Sequence, residues 1–225
     1  MLRFTVVSIL SLAICYGGDL NALKAAADKG DAGAWYKLGM LYARGDGVAK
    51  DPVEAFRLLR LAADQGQVNA QYQVGLMREK GVGVHQDYAQ AQMWYSLAAE
   101  RGEASAEAGL AGLYEDGNGV EKNLERAAHW YALAAEQGHP GAQLRLGGLM
   151  ERGKGIPRDL AGAAKWYERA AKLGDAEAQT RLGACYAAGK GVEQDTTKAN
   201  YWMAEAAKAG KPHASRTSQG IKDFK

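Results

Sequence analysis

Four histidines, two cysteines and a set of glycine-rich loops are the residues of this chain whose types could do chemistry. Histidine moves protons or binds metals near neutral pH, but it needs a second group at a set spacing to do either. His85, His129, His139 and His213 form no H-x-x-x-H pair, and none lies beside Cys185. His129 shares its place with Arg57, Met93, Lys165 and Tyr201, which reads as a variable surface column. The loops that begin at Gly45, Gly81, Gly117, Gly153 and Gly189 could cradle a phosphate on backbone N–H groups. They lack the Lys-Ser/Thr of a P-loop and the third glycine of a dinucleotide fingerprint. No catalytic set, metal site or cofactor is expected.

The elements that carry these residues explain them better than chemistry does. Gly66, Gly102, Gly138, Gly174 and Gly210 stand 36 residues apart, and so do the alanine pairs before them, from Ala62-Ala63 to Ala206-Ala207. Trp94, Trp130, Trp166 and Trp202 keep the same step, with Leu58 in the first copy. A fixed period in this range is the signature of a repeat array. Five copies are expected, at 31–66, 67–102, 103–138, 139–174 and 175–211.

Each copy reads as two helices. Ala34, Leu38, Leu41 and Tyr42 give helix A an apolar face over about 32–44. The Gly-x-Gly stretch ends it, because glycine accepts the left-handed conformation of a helix stop. Asp51, Pro52 and Glu54 spell a capping box for helix B; Asp87, Asn123, Asp159 and Asp195 hold the same cap place. Pro140 is expected in the first turn of a helix A. Ala34, Ala70, Ala106, Ala142 and Ala178, with Gly39, Gly75, Gly147 and Gly183, let helices approach closely. Bulky Trp and Tyr residues, Trp130 among them, are expected to fill the space between helix pairs. Cys185 falls where Leu41, Met77, Leu113 and Leu149 stand, so it reads as a small core residue.

The pattern resembles the Sel1-like repeat family, relatives of the tetratricopeptide repeat. The matching residues are A-x-x-x-L-G-x-x-Y from Ala34 to Tyr42, G-x-G-V-x-x-D from Gly45 to Asp51, and A-x-x-W-x-x-x-A-A-x-x-G from Ala91 to Gly102. Arg78 and Met150 depart from the helix A tyrosine. The resemblance implies an all-α, right-handed α-solenoid of stacked helix-turn-helix repeats. Residues 18–30 then form an N-terminal capping helix, and 212–225 a polar tail. Penicillin-binding or β-lactamase activity attributed to cysteine-rich relatives is the alternative; the paired cysteines of that branch are missing here.

In the tetratricopeptide relatives helix A lines the concave face. That implies a groove with Tyr36, Met40, Tyr72 and Leu76 in its N-terminal part, continued by Glu79, Glu115 and Glu151. Aromatic residues and Met are the types that carry interface energy. The resemblance thus implies a non-enzymatic module that holds a protein partner: a regulator, an assembly factor or a toxin-neutralising immunity protein.

Charge and the N-terminus bound the setting. A formal charge of +2 and the lack of a Lys/Arg run argue against nucleic acid. After Arg3 the apolar stretch "FTVVSILSLAI" is too short to span a bilayer and ends near Gly17 and Gly18. Residues 1–17 are expected to be a secretory signal, which makes the protein exported, and periplasmic if bacterial. "LAIC" also resembles a lipoprotein site, with Ile14 where a small residue belongs; membrane association follows only if Cys15 is lipidated.

Overall fold

The structure, a computed structural model, describes residues 20–209. The signal segment, Cys15, His213 and the polar tail lie outside the described residues. Among the described residues there are eleven helices and no strand. They are α1 (20–28), α2 (Ala32–Arg44), α3 (Pro52–Asp64), α4 (Val68–Lys80), α5 (Tyr88–Ala99), α6 (Ala104–Asp116), α7 (Leu124–Glu136), α8 (Pro140–Arg152), α9 (Leu160–Lys172), α10 (Ala176–Ala188) and α11 (Thr196–Ala209). Within each unit, consecutive helices pack together, α2 to α4 in the first and α5 to α11 in the second, as an α-solenoid of helix pairs requires. The chain divides into two compact units, the first ending at Gln86 and the second beginning at Asp87.

In unit 1, α1 packs through Ala27 against Ala34, Leu38 and Leu58. Helix A of the first copy runs over Ala32–Arg44, as its periodicity predicts, and stops at Gly45 with φ 82°. Asp51 caps α3 by accepting from the N–H groups of Val53 and Glu54. The expected capping box does not close. Glu54 turns instead to Arg57, taking two guanidinium bonds of 2.8 and 2.7 Å. The Asp51 N–H is itself already donated to the Tyr42 carbonyl at 3.0 Å, and the bidentate charge-assisted pair holds Glu54 away.

In unit 2 the caps at Asp87, Asn123, Asp159 and Asp195 all accept from the N–H three residues on. Pro140 opens α8 at its first turn. The aromatic expectation needs correction. Trp94, at 4% exposed, is in the core as expected, but Trp130 and Trp166 are only partly buried, and in those two copies the fully packed ring is the next residue, Tyr131 at 5% and Tyr167 at 0% exposed. For Tyr167 the close approach of a glycine on helix A explains this. A Cβ at Gly147 would stand 2.7 Å from the Tyr167 ring, so the ring occupies the space that the glycine leaves.

The loops hold a second correction. Helix termination accounts for the first glycine of each Gly-x-Gly but not for the second. At Gly155, φ is +71° and a Cβ would overlap the carbonyl of Leu124, in the first turn of the preceding helix B. Gly83 meets Pro52, Gly119 meets Tyr88 and Gly191 meets Leu160 in the same way. The second glycine is therefore the point where one repeat's loop rests on the backbone of the repeat before it.

Candidate interaction surface

Helix A of each copy carries the residues that the sequence singled out, and these fall into two separate units. In unit 1, Tyr36 and Met40 lie one turn apart on α2, both half-buried. On α4, Tyr72 is half-buried, while Leu76 is 7% exposed. Leu76 therefore presents little side chain to a visitor. Glu79 pairs with the neighbouring Lys80 at 2.6 Å.

In unit 2 the glutamates are engaged from within. The Tyr131 hydroxyl donates to Glu115 at 2.9 Å, and the Tyr167 hydroxyl donates to Glu151 at 2.8 Å. Burial and the adjacent carboxylate push both phenols far above the usual range. Arg181 adds a 3.8 Å contact to Glu151 and a 2.7 Å bond to Glu177. These carboxylates act first as acceptors for hydroxyls that the tyrosine rings carry into the core. A signal in the sequence could have found them. Sixteen residues separate Glu115 from Tyr131 and Glu151 from Tyr167, and Glu79 from Tyr95; the same places in the end copies hold Ala43 with Leu59 and Ala187 with Met203. Acid on helix A accompanies tyrosine on helix B, and alanine accompanies an aliphatic residue.

A second polar column is buried. The side-chain amides of Gln71, Gln143 and Gln179 donate to the carbonyls of Ala63, Ala135 and Ala171. Glu107 takes this place in the third copy, accepts from Gln137 at 2.8 Å, and has its pKa raised by burial. The glutamine bonds tie a helix A to the helix B before it, and the Glu107 bond ties α6 to the end of α7 after it, a structural use of polar groups.

The remaining candidates have structural places. His139 caps α8, its Nδ1 accepting from Ala142 N–H at 3.1 Å, and burial lowers its pKa. His129 is exposed and edge-on to Trp130. Cys185 is buried with a free thiol, and burial raises its pKa. Among the described residues no group of three or more His, Cys, Asp or Glu is placed to hold a metal. No described helix is long and apolar enough to cross a membrane.

Comparison with known proteins agrees with this architecture. A search of curated proteins finds no match. The Sel1 repeat profile matches residues 33–67, 68–103, 104–139, 140–175 and 176–211. Among solved structures, a protective antigen of uropathogenic Escherichia coli with an SLR fold is 38% identical, with a TM-score of 0.81 over 85% of this chain. The chain spans 41% of that protein's length. A Sel1 repeat protein from Oxalobacter formigenes is 33% identical, with a TM-score of 0.76, over 85% of this chain and 84% of its own. An immunity protein from Pseudomonas aeruginosa shares the fold, at 21% identity and a TM-score of 0.55 over 86% of this chain and 74% of its own. Five matched repeats and two relatives at this identity place the chain in the Sel1 repeat family.

Proposed function

We propose that this is an exported, non-enzymatic protein that holds a protein partner on its helix A face. One observation carries the reading. The buried alanines keep their type from copy to copy, whereas the helix A columns change type and leave Tyr36, Met40 and Tyr72 only half-buried in unit 1. A frame held constant beneath a varied surface is how repeat proteins present a binding face. The immunity protein among the neighbours supports the fold alone, so a toxin is one partner class beside a regulatory or assembly target.

Crosslinking and pull-down from the native envelope test the reading. A captured protein is expected, and Tyr72→Ala should weaken its binding by roughly 2 kcal/mol. A chain that captures nothing, or captures equally well with Tyr36→Ala and Tyr72→Ala combined, would overturn the assignment. Export is read by mass spectrometry of the purified native protein. A start near Gly18 supports a soluble exported form and a diacylated Cys15 an anchored one; an N-terminus at Met1 or Leu2 excludes both.

A further inference from the structure

We infer that Glu107 is a proton-operated latch between α5 and α6. With its proton, the carboxyl closes the bond to the preceding helix B that a glutamine amide closes in other copies. Without it, the carboxylate replaces that bond by a repulsion.

Gln71, Gln143 and Gln179 are each at most 6% exposed. Each amide donates to the carbonyl eight residues back, on the helix B before it, at 3.3, 3.0 and 3.1 Å. Those carbonyls, of Ala63, Ala135 and Ala171, also take the N–H of the glycine three residues on. One lone pair serves the helix end and the other the side chain. The Ala99 carbonyl repeats the arrangement, taking the Gly102 N–H at 2.8 Å, and the residue eight places on is Glu107. Glu107 is 3% exposed, and its Oε2 accepts from the Gln137 amide at 2.8 Å. Its other oxygen stands for the glutamine nitrogen of the sister copies. An ionised carboxylate only accepts, so it sets oxygen against oxygen at Ala99; a protonated one carries a hydroxyl and donates. The neutral acid therefore satisfies both neighbours and the anion only one, which is costly for a buried group.

The surroundings favour the proton. Burial, the largest cause, raises the pKa of Glu107; the Gln137 amide lowers it, and the carboxylate of Glu103, at the cap of α6, raises it again. The α5 helix carries no charged residue. Glu100 and Arg101 beyond it and Glu136 at the end of α7 are exposed, and His139 at the cap of α8 faces Glu103. In the unfolded chain a glutamate titrates near about 4.3. With a raised folded value, the latch's stabilisation is fully present below that pH and is lost as the pH rises through the folded value. The α5–α6 seam is thus tight in acid and looser toward neutrality, opposite in sign to the His139 cap.

The test uses the full chain. Melting curves from about pH 4 to about pH 8 compare wild type with Glu107→Gln, which gives the third copy the amide of the others. The variant should melt about 2–4 °C higher at neutral pH, and the gap should close as the pH falls through the folded value. Other titrating groups, His139 among them, are common to both chains and drop out of the difference. Gln143→Glu moves the latch to the fourth copy. It should lower the melting temperature at neutral pH and lose most of that cost in acid. Carbon-13 NMR reads the site directly. The Glu107 carboxyl should titrate above the ordinary glutamate value. The Ala99 carbonyl should shift with the same midpoint in wild type and stay flat in Glu107→Gln. Parallel melting curves, a Glu107→Gln chain less stable than wild type at neutral pH, or an equal loss at every pH in Gln143→Glu would each overturn the inference. So would an Ala99 carbonyl that ignores the titration, which would leave Glu107 a buried acid without a latch.

Discussion

The helix pairs α2–α3 and α8–α9 share one backbone plan and fill its centre differently. In the first, Gly39 admits Leu59, and Ala43 closes the space with a methyl. In the second, Gly147 admits Tyr167, whose ring is longer than the space is deep. Its hydroxyl emerges at the position of Ala43, and there the chain places Glu151 to receive it. The difference teaches that the frame fixes where a side chain goes but not its chemistry. A larger core residue is accepted when the opposite helix supplies a partner for its polar end.

Substitutions can break that comparison, and the ring itself should matter most. Tyr167→Ala should cost about 3–5 kcal/mol and Leu59→Ala about 2–5 kcal/mol, read by urea denaturation. Trp130→Ala should cost clearly less than Tyr167→Ala, because its ring is only partly packed. Equal losses would return the tryptophan to the core.

The loops come next. Gly155→Ala forces a methyl onto the Leu124 carbonyl as well as straining a positive φ, whereas a Cβ at Gly47 meets nothing within 4 Å among the described residues. Gly47→Ala should cost about 1 kcal/mol from φ alone, and Gly155→Ala more than twice that. Similar costs would mean that the loop moves aside freely.

A smaller effect isolates the hydroxyl. Tyr167→Phe should cost about 1 kcal/mol, by leaving Glu151 without its donor. Adding Glu151→Ala, the first pair's own residue at that place, should recover part of the loss. If the double variant is worse than the sum of the single ones, Glu151 matters through Arg181 rather than through Tyr167.

The smallest difference depends on pH. Asp31 caps α2 where His139 caps α8. The His139 cap works only with Nδ1 unprotonated, and burial holds its pKa below the ordinary value of about 6.5. The unfolded chain therefore takes up the proton first. Stability is fully present above that value and falls as the pH drops through it. His139→Asn keeps a neutral cap and should match wild type near pH 7 but exceed it near pH 5 in melting temperature. Parallel pH curves would show that His139 does not set this dependence.

The repeating frame was legible because identity recurs at one period: the glycine stops, the alanine columns and the Asp or Asn caps all follow from positions 36 apart. Competition between neighbours was not legible. Glu54 stands where a capping box needs it, yet Arg57 one turn on takes its carboxylate. Periodicity also cannot rank two adjacent aromatics such as Trp130 and Tyr131, since one step on a helix turns a side chain by only about 100°. The glutamate column read as free surface because its partners lie on the following helix B. Only pairing the columns, rather than reading each alone, exposes the bond. Leu76 fell on a helix A column expected to line the groove, and burial of a single column member depends on local packing that the period averages out.

The glycine that rests on the preceding repeat has a consequence for how such a chain changes length. Gly83, Gly119, Gly155 and Gly191 each touch main-chain atoms in the first turn of the helix before them. A backbone carries no residue identity, so this loop contact is the same whichever copies adjoin. Recombination that excises or duplicates one 36-residue segment would join a new pair of neighbours through that same contact. Whole repeats can thus be gained or lost without a new loop contact having to evolve, while the side chains on helix A are reshuffled as a by-product.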